Sequence, residues 1–134
     1  MSQVKILVIA DDEGSTESIK YMLDETAPQI IAAIPGEEGI ELVKKQNPDL
    51  IILDLIRPDK NNWEVCTTVR RFSQAPILIY SAADSPGIIV EALNVGADYY
   101  LTKPVSSNIL TAHLNQLLRR TRSAPASLSL TASL

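Results

Sequence analysis

Two kinds of apolar pattern take turns along this chain. The first is a short, nearly continuous run closed by polar residues. Residues 4–10 (Val-Lys-Ile-Leu-Val-Ile-Ala) form such a run, rich in β-branched side chains and ended by Asp11-Asp12-Glu13-Gly14. Residues 29–34, 49–54, 76–81 and 98–101 repeat it. A strand with one wet face alternates apolar and polar residues, whereas a strand covered on both faces has no need to; these runs therefore predict buried strands. The second pattern has helical spacing. Ile19, Met22 and Leu23 follow Ser15, which is placed to cap a first helix, although Ser18 gives it no capping box. Pro28 stops that helix. Ile40, Leu42 and Val43 predict a second helix over 37–46, between Pro35-Gly36 and Asn47-Pro48. Val65, Cys66, Val69 and Phe72 share one side of a helix at about 63–72. A fourth, over about 86–95, ends at Gly96, a residue suited to the position after a helix C-terminus. Leu110, Leu114, Leu117 and Leu118 form the stripe of a last helix.

Strand then helix, five times over, calls for a parallel sheet with helices on both faces, an α/β fold. There is no sequence repeat beyond this alternation. From Ser123 the chain becomes low-complexity, which reads as a linker or frayed end. The expected division is a folded domain over 1–121 and a tail over 122–134.

Composition narrows the setting. The 134 residues make about one domain, and a hydrophobic content of 46% is ordinary for a globular chain. Cys66 is the sole cysteine, so no internal disulfide can form. No apolar run approaches the ~18 residues of a membrane span, and the N-terminus lacks a signal-peptide pattern. A cytoplasmic protein without membrane contact is expected. The net charge is −4, unevenly placed: the first 118 residues hold 9 basic against 16 acidic residues, net −7, and Arg119, Arg120 and Arg122 carry the rest. An acidic body argues against direct nucleic-acid binding, which needs a basic surface.

Ligands of open α/β sheets bind outside the carboxyl ends of the strands. Strand one ends in Asp11-Asp12, strand three in Asp54 and strand four in Ser81, while strand five runs into Lys103. With strand order 2-1-3-4-5, these residues converge on one pocket. Three carboxylates close together repel. A divalent cation resolves the repulsion, and all-oxygen ligation favours Mg²⁺ or Mn²⁺ over zinc. The cation would also let an anionic phosphoryl group approach a carboxylate nucleophile, which forms an acyl phosphate. Lys103 would pair with the charged group and Ser81 would donate a hydrogen bond to it. Singly, each residue has a plainer reading as a turn residue, a helix cap or a solvated charge; the conjunction at four strand ends carries the argument.

Residues 8–13 (Val-Ile-Ala-Asp-Asp-Glu), 48–55 (Pro-Asp-Leu-Ile-Ile-Leu-Asp-Leu) followed by Pro58, Pro76-Ile77 with Ser81-Ala82, and 96–104 (Gly-Ala-Asp-Tyr-Tyr-Leu-Thr-Lys-Pro) resemble the response-regulator receiver domain of two-component signalling. The resemblance covers residues 3 to about 121, and its last piece is very specific. It implies a flavodoxin-like, doubly wound five-stranded parallel sheet of order 2-1-3-4-5. It implies that Asp54 accepts a phosphoryl group from a histidine kinase or phosphotransfer protein. Asp12 and Asp54 would ligate Mg²⁺ with the backbone carbonyl of Ile56, and Asp11 would act largely through water. Lys103 would contact the phosphoryl group, with a cis peptide before Pro104. Ser81 and Tyr100 would form a switch pair: the hydroxyl moves toward the phosphoryl group and the ring turns inward.

Departures qualify the resemblance. Asn62 stands where the family usually has glycine after Pro58, and asparagine's tolerance of positive φ is expected to preserve a turn there. Tyr99 replaces the usual acidic neighbour of Asp98. Residues 117–121 resemble the winged-helix, DNA-binding subfamily, yet Ile89, Val95, Ile109 and His113 occupy positions that often carry that subfamily's dimer charges. The face made by the fourth helix, fifth strand and fifth helix is therefore expected to meet a second copy or an effector domain through apolar contacts. Ile56 and Ala83 flank the pocket without a polar group to orient water, so slow self-dephosphorylation is expected. Two rivals carry less weight. An aspartyl-phosphate phosphatase would want a second Asp where Ile56 stands, and a pseudo-receiver interaction module would normally have lost part of the acid set or Lys103; between a single-domain regulator and the receiver part of a longer one, the linker-like tail favours the latter. Cys66 reads as a small core residue, His113 has no metal-ligand companion, and Trp63 reads as an anchor and fluorescence reporter.

Overall fold

The computed structural model describes residues 4–23, 28–56 and 58–121; the expected tail over 122–134 lies outside them. Five strands alternate with five helices: β1 Lys5–Ala10, α1 Glu13–Met22, β2 Gln29–Ala33, α2 Glu37–Gln46, β3 Leu50–Leu55, α3 Lys60–Val69, β4 Ile77–Ser81, α4 Pro86–Asn94, β5 Tyr99–Thr102 and α5 Ser107–Thr121. The strands form one parallel sheet of order β2-β1-β3-β4-β5, as the alternation and the resemblance imply.

The period of two along each strand splits the core into two layers. Ile6, Val8, Leu50, Ile52, Leu78 and Leu101 face α1 and α5, where they meet Ile19, Leu110, Leu114 and Leu118. Leu7, Ile9, Ile51, Leu53, Ile77 and Ile79 face the other way, against Val43 of α2, Val65, Cys66 and Val69 of α3, and Ala92 of α4. Each fully buried aliphatic side chain contributes roughly 1.5–3 kcal/mol, so the continuous apolar runs hold the sheet from both faces. Burial pushes the Cys66 thiol up to about 11, against the opposing pull of the Arg70 charge. Such a thiol is an inert core residue at neutral pH.

Three local expectations give way to side-chain capping. Helix α1 begins at Glu13 rather than after Ser15, because Asp12 is its N-cap: Asp12 Oδ1 accepts the Ser15 N–H at 2.7 Å. The helix also ends at Met22, before Pro28. Helix α3 begins at Lys60, three residues ahead of the expected start, and Asn62 lies inside it. Asp59 Oδ1 accepts the Asn62 N–H at 3.2 Å while Asn62 Oδ1 accepts the Asp59 N–H at 3.1 Å, a reciprocal capping box. Asn62 is thus a buried helix residue and not a turn of positive φ. Phe72 lies beyond the end of α3 and is exposed.

Gly96 follows α4 with φ +120. A Cβ there would lie 2.8 Å from Cγ of Arg70, so both backbone and packing require glycine. Arg70 fills that space to reach the segment leading into β5. Its Nε donates to the Gly96 carbonyl at 3.1 Å, Nη1 to those of Ala75 and Ser73 at 2.7 and 3.3 Å, and Nη2 to Asp98 Oδ2 at 2.6 Å.

Candidate functional site

Register places the acidic residues. Ala10 pairs with Asp54, so Asp11 and Asp12 continue just past the end of β1 beside the end of β3. Leu55 pairs with Ser81, and Ser81 with Thr102. The Lys103 N–H donates to the Ser81 carbonyl at 2.9 Å, which sets Lys103 at the same edge. All five candidates therefore stand at the carboxyl ends of adjacent strands, where the open sheet leaves a crevice.

Asp54 is the buried member, with 1% of its surface exposed. Lys103 Nζ lies 2.6 Å from Asp54 Oδ1, and its charge sits 5.0 Å from the centre of the Tyr80 ring. The Asp54 carboxyl is pushed above the ordinary carboxylate range, chiefly because burial strips water from the charged form. Lys103 opposes that shift through its hydrogen bond and its charge, while the charges of Asp12 and Asp11 add to it. The Lys103–Pro104 peptide is cis, as the resemblance implies.

The two exposed carboxylates are already engaged with backbone. Asp11 Oδ2 accepts the Ile56 N–H at 2.8 Å, and Asp12 Oδ1 caps α1. Among the described residues, no three such side chains stand ready-grouped to hold a metal ion. The donor set nevertheless fits a hard divalent cation. It is all oxygen, Asp11 and Asp12 each use one carboxylate oxygen for a backbone N–H and carry a second, and their charges add to the burial-driven rise of the Asp54 pKa.

The proposed switch residues both bond to the backbone of Ala83, one to its N–H and the other to its carbonyl. The Ala83 N–H donates to Ser81 Oγ at 3.1 Å, and the Tyr100 hydroxyl donates to the Ala83 carbonyl at 2.6 Å. Ser81 is fully buried, and the Tyr100 ring is already inside, packed with the core layer of α2, α3 and α4. Burial lifts the Tyr100 phenol above its usual value; a hydrogen bond with Ser81 pulls it back, and the nearby charge of Asp84 adds to the rise.

The face expected to be an apolar contact surface has a different composition. Ile89 and Val95 pack partly against the core, so they do not form its exposed part. Val90, Leu93, Tyr99 and Ile109 do. His113 stacks on Tyr99, the ring centres 4.5 Å apart. Hydropathy could not separate Ile89 from Val90, because only the rotation of α4 on the sheet decides which of them turns inward.

Known proteins share this arrangement. The family model of the response regulator receiver domain matches residues 6–115. Transcriptional regulatory protein AfsQ1 of Streptomyces coelicolor is 36% identical over 115 residues, which are 86% of this chain and 51% of that protein. The chain thus spans about half the length of that relative. A two-component response regulator from Clostridium difficile has a TM-score of 0.81 and 35% identity, over 90% of this chain and 100% of that one. The beryllofluoride-activated N-terminal receiver domain of Klebsiella pneumoniae RstA has a TM-score of 0.78 and 28% identity, over 86% of this chain and 98% of that one. Sheet order, the match over most of the chain and the level of identity together make this chain a member of the response regulator receiver domain family of two-component systems.

Proposed function

We propose that Asp54 is the phosphoacceptor of this receiver domain, taking the phosphoryl group of a histidine kinase or phosphotransfer protein. The observation that carries this reading is the buried Asp54 carboxylate held 2.6 Å from Lys103 at the carboxyl edge of the sheet. A carboxylate oxygen of Asp54 attacks phosphorus, the bond to the donor's imidazole nitrogen breaks, and an acyl phosphate results. Lys103 balances charge on the phosphoryl oxygens, and the Ser81 hydroxyl, released from the Ala83 N–H, donates to one of them. Asp11, Asp12, Asp54 and the Ile56 carbonyl would hold Mg²⁺ or Mn²⁺, which supplies charge neutralisation between the carboxylates and the incoming phosphoryl group. Ser81 and Tyr100 act as the switch pair, joined through Ala83. Ile56 and Ala83 offer no side-chain group to orient an attacking water, so the domain catalyses its own phosphorylation but loses the group slowly.

We read 1–121 as the receiver domain and the low-complexity stretch 122–134 as a linker-like or frayed tail. A regulatory output on transcription is in keeping with the relative named a transcriptional regulatory protein, and cytoplasmic residence follows from such an output. Val90, Leu93, Tyr99 and Ile109 offer the apolar contact for a second copy or an effector. Among the described residues no helix is long and apolar enough to cross a membrane.

Incubation with acetyl phosphate and Mg²⁺ is expected to add one phosphoryl group by mass, and Asp54→Asn to abolish the gain. A gain that persists in the variant would place the acceptor elsewhere.

A further inference from the structure

Little packing holds α4 in place. Ala92 is its only buried residue, Ser85 at its N-cap makes no side-chain bond, and Val90 and Leu93 are exposed. Ile88 and Ile89 rest only partly on the core. Among the described residues, one side-chain hydrogen bond ties this helix to another element: Trp63 Nε1 donates to Glu91 Oε1 at 2.9 Å. The donor is well fixed, since Trp63 is a buried residue of α3 at 8% exposure. An indole has a single N–H, which usually finds a partner when buried. The acceptor belongs to an exposed glutamate on the helix that carries on from the switch segment. That segment runs from Ser81 through Ala83, whose carbonyl takes the Tyr100 hydroxyl, to Ser85 at the start of α4. Whatever fixes α4 therefore fixes one end of the segment on which Ser81 and Tyr100 meet.

We infer that Trp63 and Glu91 are a positioning pair for the phosphorylation switch. Their bond holds α4, and through it the Ser81–Ala83 segment, in the arrangement with the Tyr100 ring inside. The inference rests on the phosphoacceptor reading of Asp54 and on Ser81 and Tyr100 being its switch. An interaction made in one of two arrangements shifts their populations by its own free energy. A hydrogen bond of ordinary net strength corresponds to about fivefold in an equilibrium constant. Binding of a phosphoryl mimic at Asp54 favours the ring-in arrangement, so loss of the pair weakens that binding by up to the same factor.

Beryllofluoride with Mg²⁺ serves as the probe, with uptake followed by fluorine NMR and by the amide signal of Ala83. Glu91→Ala and Trp63→Phe are each expected to raise the half-saturating concentration, by up to about fivefold. Glu91→Gln retains an acceptor oxygen and stays near the wild-type value. The double variant Trp63→Phe/Glu91→Ala is no weaker than either single one, because both remove the same bond. Unchanged or tighter binding in Glu91→Ala overturns the inference, as do additive losses in the double variant. Should Trp63→Phe fail to fold, the Glu91 pair of variants decides alone, since their site is on the surface. Failure of the wild type to take up beryllofluoride, or uptake that survives Asp54→Asn, would instead overturn the phosphoacceptor reading.

Discussion

Two ion pairs of equal length stand at opposite ends of the sheet. Lys103–Asp54 lies at the carboxyl edge and Arg70–Asp98 at the amino edge, each at 2.6 Å. The Arg70 pair is closed by backbone: the guanidinium also donates to three carbonyls, and Asp98 Oδ2 accepts a second bond from the Ile77 N–H at 2.8 Å. The Arg70 bonds tie the end of α3 to the segments leading into β4 and β5, and the Ile77 bond ties those two segments to each other. Asp54 is more deeply buried, faces two like charges, and has Lys103 as its one side-chain bond among the described residues. The contrast shows that the length of an ion pair does not reveal its role. A pair whose remaining groups are consumed by backbone holds the chain together, while a buried carboxylate with an uncommitted oxygen and a raised pKa fits the proposed phosphoacceptor role.

Substitution of the two cations should separate these roles most sharply. Lys103→Ala is expected to slow phosphorylation of Asp54 by acetyl phosphate about 10²–10³-fold, the usual cost of removing one charge-stabilising donor. Arg70→Ala should leave that rate within a few-fold, as a mass-spectrometric time course would register. Equal slowing in both would collapse the distinction. In urea unfolding Arg70→Ala costs about 2–4 kcal/mol, because it leaves three carbonyls without their donor and takes one of two bonds from Asp98 Oδ2.

Gly96→Ala tests the same clamp from its other side. The backbone conformation and the contact with Arg70 Cγ together cost about 1–3 kcal/mol. In an Arg70→Ala background the steric part is relieved and only the backbone part remains, so the two losses should not add.

The smallest expected effect has the opposite sign. Asp54 has a raised carboxyl pKa in the folded chain, so the folded state binds protons more readily than the unfolded one. Its ionisation therefore lowers stability as pH rises from the ordinary carboxylate range through the folded value. Asp54→Asn is expected to stabilise the domain by on the order of 1 kcal/mol at pH 7, with the gain disappearing as pH falls toward 4. Thermal melts of both proteins across that range would show it; a gain that stays constant with pH would mean that the Asp54 charge is not its source.

Much of this molecule was legible before any coordinates. The runs ending at Ala10, Asp54 and Ser81 marked the strands, because a strand covered on both faces cannot hide its composition. The same runs delivered Asp11, Asp12, Ser81 and Lys103 to one edge, since parallel strands align their carboxyl ends. The leucines of α5 were equally plain, and all four are buried. Helix starts were less legible. Asp12 and Asp59 cap α1 and α3, yet Asp12 had been claimed by a metal-site argument and Asn62 by the comparison with a glycine. A side chain can serve a cap or a pocket, and sequence spacing alone does not choose.

The sequence by itself determined the alternation of elements, the two-sided core and the gathering of Asp11, Asp12, Asp54, Ser81 and Lys103 at the carboxyl edge, all of which follow from local periodicity and from where each run ends. Only the tertiary structure decided the rest. It brought Arg70 to Asp98 across 28 residues of chain, and Trp63 to Glu91 across the same separation. It also turned Asp11 to Ile56, set Tyr100 on the carbonyl of Ala83, and chose Val90 over Ile89 for the surface. The physical reason is common to the first four: a polar side chain satisfies itself with whatever group the packed chain presents within about 3 Å, and no periodicity along the chain encodes that group's position; the fifth follows from the rotation of α4 on the sheet.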